Sequence, residues 1–194
     1  MNARRAFTLI ELLIVVVLLG IAGMLVVPAM GSVGVLRIQA AVRTLVSDLT
    51  FAQGDAIAQQ QRRAVVFDVP NNRYTLVQVV GGQINTDTGA LYNPGNNGNR
   101  FEISFDDPQF AGATMASANF GSSSAPSTLI FDDMGSPAAA ATGDTAGTGG
   151  AVRITGQGQT FDIIVEPFTG RVSVRRINAV PTTPTPVPTP EPIN

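Results

Sequence analysis

The chain has 194 residues, 44% of them hydrophobic, with 12 basic residues, all arginine, against 14 carboxylates for a formal charge of −2. Neither Cys nor His occurs, which excludes thiolate chemistry, disulfide staples, His-ligated metals and imidazole bases, and no cofactor is expected. A pI near 5.0 leaves no domain-wide basic field of the kind that gathers nucleic acid.

Residues 1–6 form a short leader carrying Arg4 and Arg5. From 7 to 27 only Thr8, Glu11 and three small residues interrupt the large apolar side chains. That is roughly the 20 residues a helix needs to cross a bilayer, and positive charge ahead of it holds the N-terminus in the cytoplasm. Glu11 is the anomaly. A carboxylate inside a membrane helix costs about 2.5–3.5 kcal/mol on insertion scales, so it marks a function or a partner. A secretory signal would be cut near Val27-Pro28-Ala29, and Arg4-Arg5-Ala6-Phe7 has the form of a twin-arginine signal. Glu11 argues against the first, and the missing Cys and His ligands argue against the second. In a plain single-pass anchor, Glu11 would snorkel to the interface.

Basic leader, small residue, Phe7 and then Thr8-Leu9-Ile10-Glu11 opening an apolar helix: this order resembles the prepilin signature of type IV pilins and pseudopilins. The resemblance implies that a prepilin peptidase cuts between Ala6 and Phe7 and methylates the new amine of Phe7. The family usually has Gly at the cut, where this chain has Ala6. Cleavage would create an ammonium group about one helical turn from Glu11, roughly 6 Å at 1.5 Å per residue. A carboxylate buried in a low-dielectric assembly needs a cation, and the amine of a neighbouring subunit is the natural candidate. Pro28, at the end of the run, kinks or interrupts the helix. The resemblance implies that the helix unwinds there during assembly; otherwise Pro28 only marks the membrane boundary.

Beyond Pro28 the pattern becomes amphipathic. Ile38, Val42, Leu45, Leu49, Ala52 and Ala56 form one apolar stripe, with Arg37, Arg43, Ser47, Asp48, Asp55 and Gln59 largely off it. The helix is expected to reach about Gln61. Period-two alternation then takes over: a hairpin over 65–80 turning at 70–73, then strands at 101–105, 128–131, 152–155, 159–165 and 171–177. Residues 81–99 read as a polar loop, and 135–150 as a low-complexity connection with little to bury. The expected fold is α+β, a long N-terminal helix packed on antiparallel sheets. Residues 181–194, where Pro alternates with Thr, Val and Glu, favour a polyproline II spacer.

The layout resembles the GspH/FimT branch of the pseudopilins. The likeness rests on Leu45, Asp48, Leu49, Ala52, Ala56 and Ile57, on the 65–80 hairpin, on Phe131-Asp132-Asp133-Met134-Gly135 and on Gly170-Arg171-Val172. It implies a structural minor subunit of a type II secretion filament and no enzyme. The implied partners are other pseudopilins or pilins, the prepilin peptidase and an inner-membrane assembly platform. The expected organisation is a leader over 1–6, a transmembrane helix over 7–27, an amphipathic helix over 28–61, a β-rich periplasmic domain over 62–180 and a tail over 181–194. A minor type IV pilin of a surface pilus or DNA-uptake machine is the alternative, and a secreted β-rich binding domain the second.

Other chemistry is thinner. Asp106-Asp107 and Asp132-Asp133 are adjacent pairs whose members would point to opposite faces of a strand, so neither makes a shared-proton dyad. Arg171, Arg175 and Arg176 cluster near the last strand, and Arg pairs well with phosphate. Within an acidic domain these three support only weak, salt-sensitive nucleic-acid contact, so nucleic acid is not expected as a partner.

Overall fold

The computed structural model describes residues 8–26, 30–95, 98–121 and 127–177, with backbone alone at 23–26 and 30–33. Two helices open the chain, α1 (Leu9–Val26) and α2 (Met30–Gln59). The strands follow: β1 (Arg63–Asp68), β2 (Arg73–Gln78), β3 (Glu102–Ser104), β4 (Thr114–Asn119), β5 (Ser127–Phe131), β6 (Pro137–Ala138), β7 (Gly150–Gly156), β8 (Gln159–Val165) and β9 (Val172–Ile177). All pairings are antiparallel, and the strands divide into two sheets of order β3-β2-β1-β5-β6 and β4-β7-β8-β9. The α+β architecture is the expected one.

One core serves both sheets. The stripe from Ile38 to Ala56 on α2 is buried throughout, and it meets Val65, Phe67, Tyr74, Leu76, Leu129 and Phe131 from the first sheet. Val152, Ile154, Ile163 and Val165 come to the same cluster from the second. Each sheet therefore shows its alternate side chains on a face turned away from that core. On the first sheet part of this outer face is roofed by loops, with Ala64, Val66, Val77 and Ile130 packed under Val79, Ile84, Ala138 and Ala141.

Two expectations change here. The 135–150 segment is not an idle connection. Pro137 is buried in β6, and Ala138 bridges Ala146 while covering that second cluster. The paired aspartates also lie in turns after β3 and β5, not in extended strands. Asp132 Oδ1 accepts the backbone N–H groups of Met134 and Ser136 at 3.0 and 2.7 Å, and Asp106 takes the Asn72 amide at 2.8 Å. Both are turn-forming carboxylates.

Asn72 closes the β1–β2 hairpin in the left-handed region, at φ 52 and ψ 38. From there it staples two parts of the fold. Its Nδ2 donates to Asp106 and to the Ala113 carbonyl at 3.1 Å, and its Oδ1 accepts from the Met115 N–H at 2.8 Å. At the other end of the domain, the Gln53 amide on α2 donates to the carbonyls of Gly135 and Thr169, at 2.7 and 2.8 Å. It thereby joins the turn after β5 to the β8–β9 turn. Near the start of α2, the tip of the β7–β8 hairpin lies against the helix. A Cβ on Gly34 would stand 3.0 Å from the Gln157 side chain, so the bare glycine backbone makes that approach easy.

Candidate functional site

Of the residues proposed for processing and assembly, Ala6, Phe7 and Pro28 lie outside the described residues, as does the 181–194 tail. Glu11 is described. It sits in the first turn of α1, exposed, among large apolar side chains that are themselves exposed from Leu9 to Ile21. A helix that is apolar all round and covered by nothing belongs in lipid or among other helices. Among the described residues no helix is long and apolar enough to cross a membrane. The described side chains of α1 end at Ala22, while the sequence carries the apolar run to Val27, for roughly the 20 residues a crossing needs.

The helix start carries a feature that the motif reading passed over. Thr8 stands at the N-cap, and its carbonyl accepts from the N–H groups of Glu11 at 3.1 Å and Leu12 at 3.3 Å. Its hydroxyl oxygen also accepts from the Glu11 N–H, at 3.4 Å. Thr-x-x-Glu at a helix start is the capping-box spacing, visible in the sequence itself. Glu11 is also an acid in the first turn, where the helix dipole favours negative charge. The carboxylate thus fits its position before any neighbouring subunit is considered, and an ammonium one turn ahead would add to the same field.

The three arginines do not form one cluster. Arg171 precedes β9, in the turn where Glu166 donates its N–H to the Arg171 carbonyl at 2.9 Å. Arg176 lies opposite Phe161 in register, and Arg175 opposite Asp162. Arg175 is therefore spoken for: its Nη2 lies 3.3 Å from Asp162 Oδ2. Arg153 on β7, opposite Asp162 on its other side, donates from Nε and Nη2 at 2.8 and 3.1 Å. The Asp162 carboxylate is buried between two guanidiniums on the outer face of the second sheet. The Arg153 hydrogen bonds are the main reason that its pKa falls below the usual carboxylate range, with Arg175 adding to the effect.

A second polar pair, Asp48 and Tyr74, lies inside. Asp48 was expected off the apolar stripe, and instead it is half-buried with its Oδ2 accepting the Tyr74 hydroxyl at 2.5 Å. Burial pushes the Asp48 carboxyl up to about 6, against the lowering effect of the tyrosine bond. Tyr74 is fully buried, and its pKa is raised by that burial first and by the Asp48 charge second. Asp55 is likewise half-buried and pairs with the Nε of the buried Arg63. These pairs join α2 to the first sheet.

Residues 1–27 match a family model described as the prokaryotic N-terminal methylation motif. Residues 41–170 match the model described as type II transport protein GspH. A search among curated proteins finds no match. Among solved structures, the minor pseudopilin EpsH from the type 2 secretion system of Vibrio cholerae is similar at 16% identity and a TM-score of 0.45. The alignment covers 73% of this chain and 97% of that one. The type IV minor pilin FimU of Pseudomonas aeruginosa is similar at 16% identity and a TM-score of 0.43, over 71% of this chain and 87% of that one.

Proposed function

The chain belongs to the GspH family of type II transport proteins, and from that premise we propose that it serves as a structural minor subunit of a pilus-like secretion filament. The observation that carries this reading is the coupling, in one chain, of an uncovered apolar helix under the N-terminal methylation motif to a GspH domain. The role is structural, not catalytic. Residues 1–6 are the leader; a prepilin peptidase removes them, and Phe7 becomes the methylated N-terminus. Residues 7–27 anchor the subunit in the inner membrane, with its start in the cytoplasm and the domain in the periplasm. Glu11 meets the amine of a neighbouring subunit on entry to the filament, Pro28 interrupts the helix at the membrane boundary, and an inner-membrane platform drives assembly.

The intact mass of the full-length protein extracted from membranes tests this. The expected N-terminus is Phe7 bearing one added methyl; one at Met1 or near Met30 overturns the reading. Glu11→Gln and Glu11→Leu are expected to remain anchored and trimmed while losing incorporation into the filament. Incorporation at the wild-type level would remove the proposed pairing.

A further inference from the structure

The second sheet ends on an open edge. Planarity of the peptide unit fixes which backbone groups face it: the Arg171 carbonyl points to β8, where it accepts the Glu166 N–H, so the Val172 N–H points away. Alternation along β9 then turns the N–H and C=O groups of Val172, Val174 and Arg176 outward, while those of Ser173, Arg175 and Ile177 turn to Ile164, Asp162 and Thr160. No described strand pairs with the outward set. The side chains of the same three residues stand on the core face, beside Val165, Ile163 and Phe161. Cover runs out along them: Val172 packs on the core, Val174 is 46% exposed and Arg176 is exposed. The edges of the first sheet are short, with three residues in β3 and two in β6, and β4 carries a bulge. Strand β9 offers six residues in regular register, and an edge of that kind invites another strand.

Beyond β9 the sequence carries an unusual alternation. Every second residue from 184 to 192 is Pro, and between the prolines stand Thr185, Val187, Thr189 and Glu191, with Ile193 after them. In an extended backbone, residues two apart direct their N–H and C=O groups to the same side. The missing donors of all the prolines therefore fall on one edge, and the intact N–H groups of the residues between them fall on the other. Such a strand can pair along one edge only. Each residue ahead of a Pro is also confined to extended backbone, and Thr, Val and Ile favour strands.

We propose that residues 185–193 return along β9, antiparallel to it, with their donor-bearing edge on Val172, Val174 and Arg176 and their proline edge to solvent. Strand β9 spans about 20 Å and residues 185–193 about 30 Å at 3.3 Å per residue, and residues 178–184 supply the reversal. With Val187 opposite Val174, the two valines share the core face, Thr185 meets Arg176, and Glu191 reaches the turn that holds Arg171. The tail then acts as an edge cap and not as a spacer. Its prolines leave the new outer edge without N–H donors, so the sheet is closed to a further strand.

Hydrogen exchange in the full chain, held in detergent micelles and read residue by residue by NMR, tests this. The amides of Val172, Val174 and Arg176 are expected to exchange about tenfold slower than in a chain ended after Val180, with Ile154 and Ile163 unchanged inside the sheet. Thr185→Pro, Val187→Pro and Thr189→Pro together remove the donors and should reproduce the loss. Pro184→Ala, Pro186→Ala and Pro188→Ala together keep those donors, so protection should persist, and the second edge they open should raise self-association in sedimentation. Equal exchange with and without the tail overturns the inference, as does protection that survives the three added prolines. Protection that fades on dilution would put the tail on a neighbouring molecule, and it too overturns a return along the chain's own β9.

Discussion

Asp48 and Asp162 are both carboxylates withdrawn from water, the first beside the core and the second beneath two guanidiniums on an outer sheet face, yet they respond to pH in opposite directions. Burial holds Asp48 near 6, above its value of 3.8 in the unfolded chain, so the native state binds the extra proton in that interval. Stability from this group is present below about 4 and lost as the pH rises through 6. Asp162 is held below 3.8, first by Arg153, so its contribution is complete above that value and lost as the pH falls below it. The two slopes meet on the acid side of neutrality, and thermal melting should be highest around pH 4 to 5. Asp48→Asn keeps an acceptor for the Tyr74 hydroxyl and cannot ionise. With partial solvent screening allowed for, it should add about 1–2 kcal/mol at pH 7.5 and nothing at pH 4. Melting curves of the two proteins at both pH values decide the matter, and equal midpoints at pH 7.5 would show that the buried carboxylate carries no cost.

The β1–β2 hairpin owes its place in the fold to one turn residue. Asn72 satisfies the left-handed backbone that ends the 3₁₀ turn at Val69–Asn71, and its side chain also binds two groups from the β3–β4 connection and one from β4 itself. These jobs separate by substitution. Asn72→Gly keeps the backbone conformation but leaves the Met115 N–H and the Ala113 carbonyl without the amide, at a cost of about 2–4 kcal/mol. Asn72→Ala loses the same bonds and pays about 1–2 kcal/mol more for the left-handed conformation. Urea titration should therefore order the midpoints as wild type, Gly, Ala. If the Gly variant matches wild type, the side-chain staple is ornamental and only the backbone matters.

At the scale of the whole chain, α2 is the element that makes two sheets one domain, and it is also the element most legible in the sequence. Its stripe obeys a 3.6-residue period because one side faces a continuous core, and all six stripe residues are buried. The hairpins around β1, β2, β7, β8 and β9 were legible from the period-two spacing of their inward apolar residues, even though the outward Ala64, Val66 and Val77 on β1 and β2 are apolar too, under the loops that roof them. Strand β4 was not. Apart from Met115, Thr114–Asn119 is built of small and polar residues, and a bulge between Met115 and Ser117 breaks the period of two, so its inward Met115 and Ala118 fall out of alternation. Asp48 and Asp55 misled for another reason: helix periodicity places them beside the stripe, but their partners Tyr74 and Arg63 come from strands that only the tertiary fold brings near. The Thr8-Glu11 capping pair was readable and went unread, because the lipid-facing anomaly drew the whole explanation of the carboxylate. The shared core makes a last prediction. Leu45 is fully buried on α2 where both sheets meet the helix, and Leu45→Ala should cost about 2–5 kcal/mol, a large share of the 5–15 kcal/mol that usually holds a domain. With one core, hydrogen-exchange protection should fall together at Val65 to Phe67 in β1 and Val152 to Ile154 in β7. Protection lost in one sheet and kept in the other would mean two cores that happen to touch, with α2 a cover over them and not their common floor.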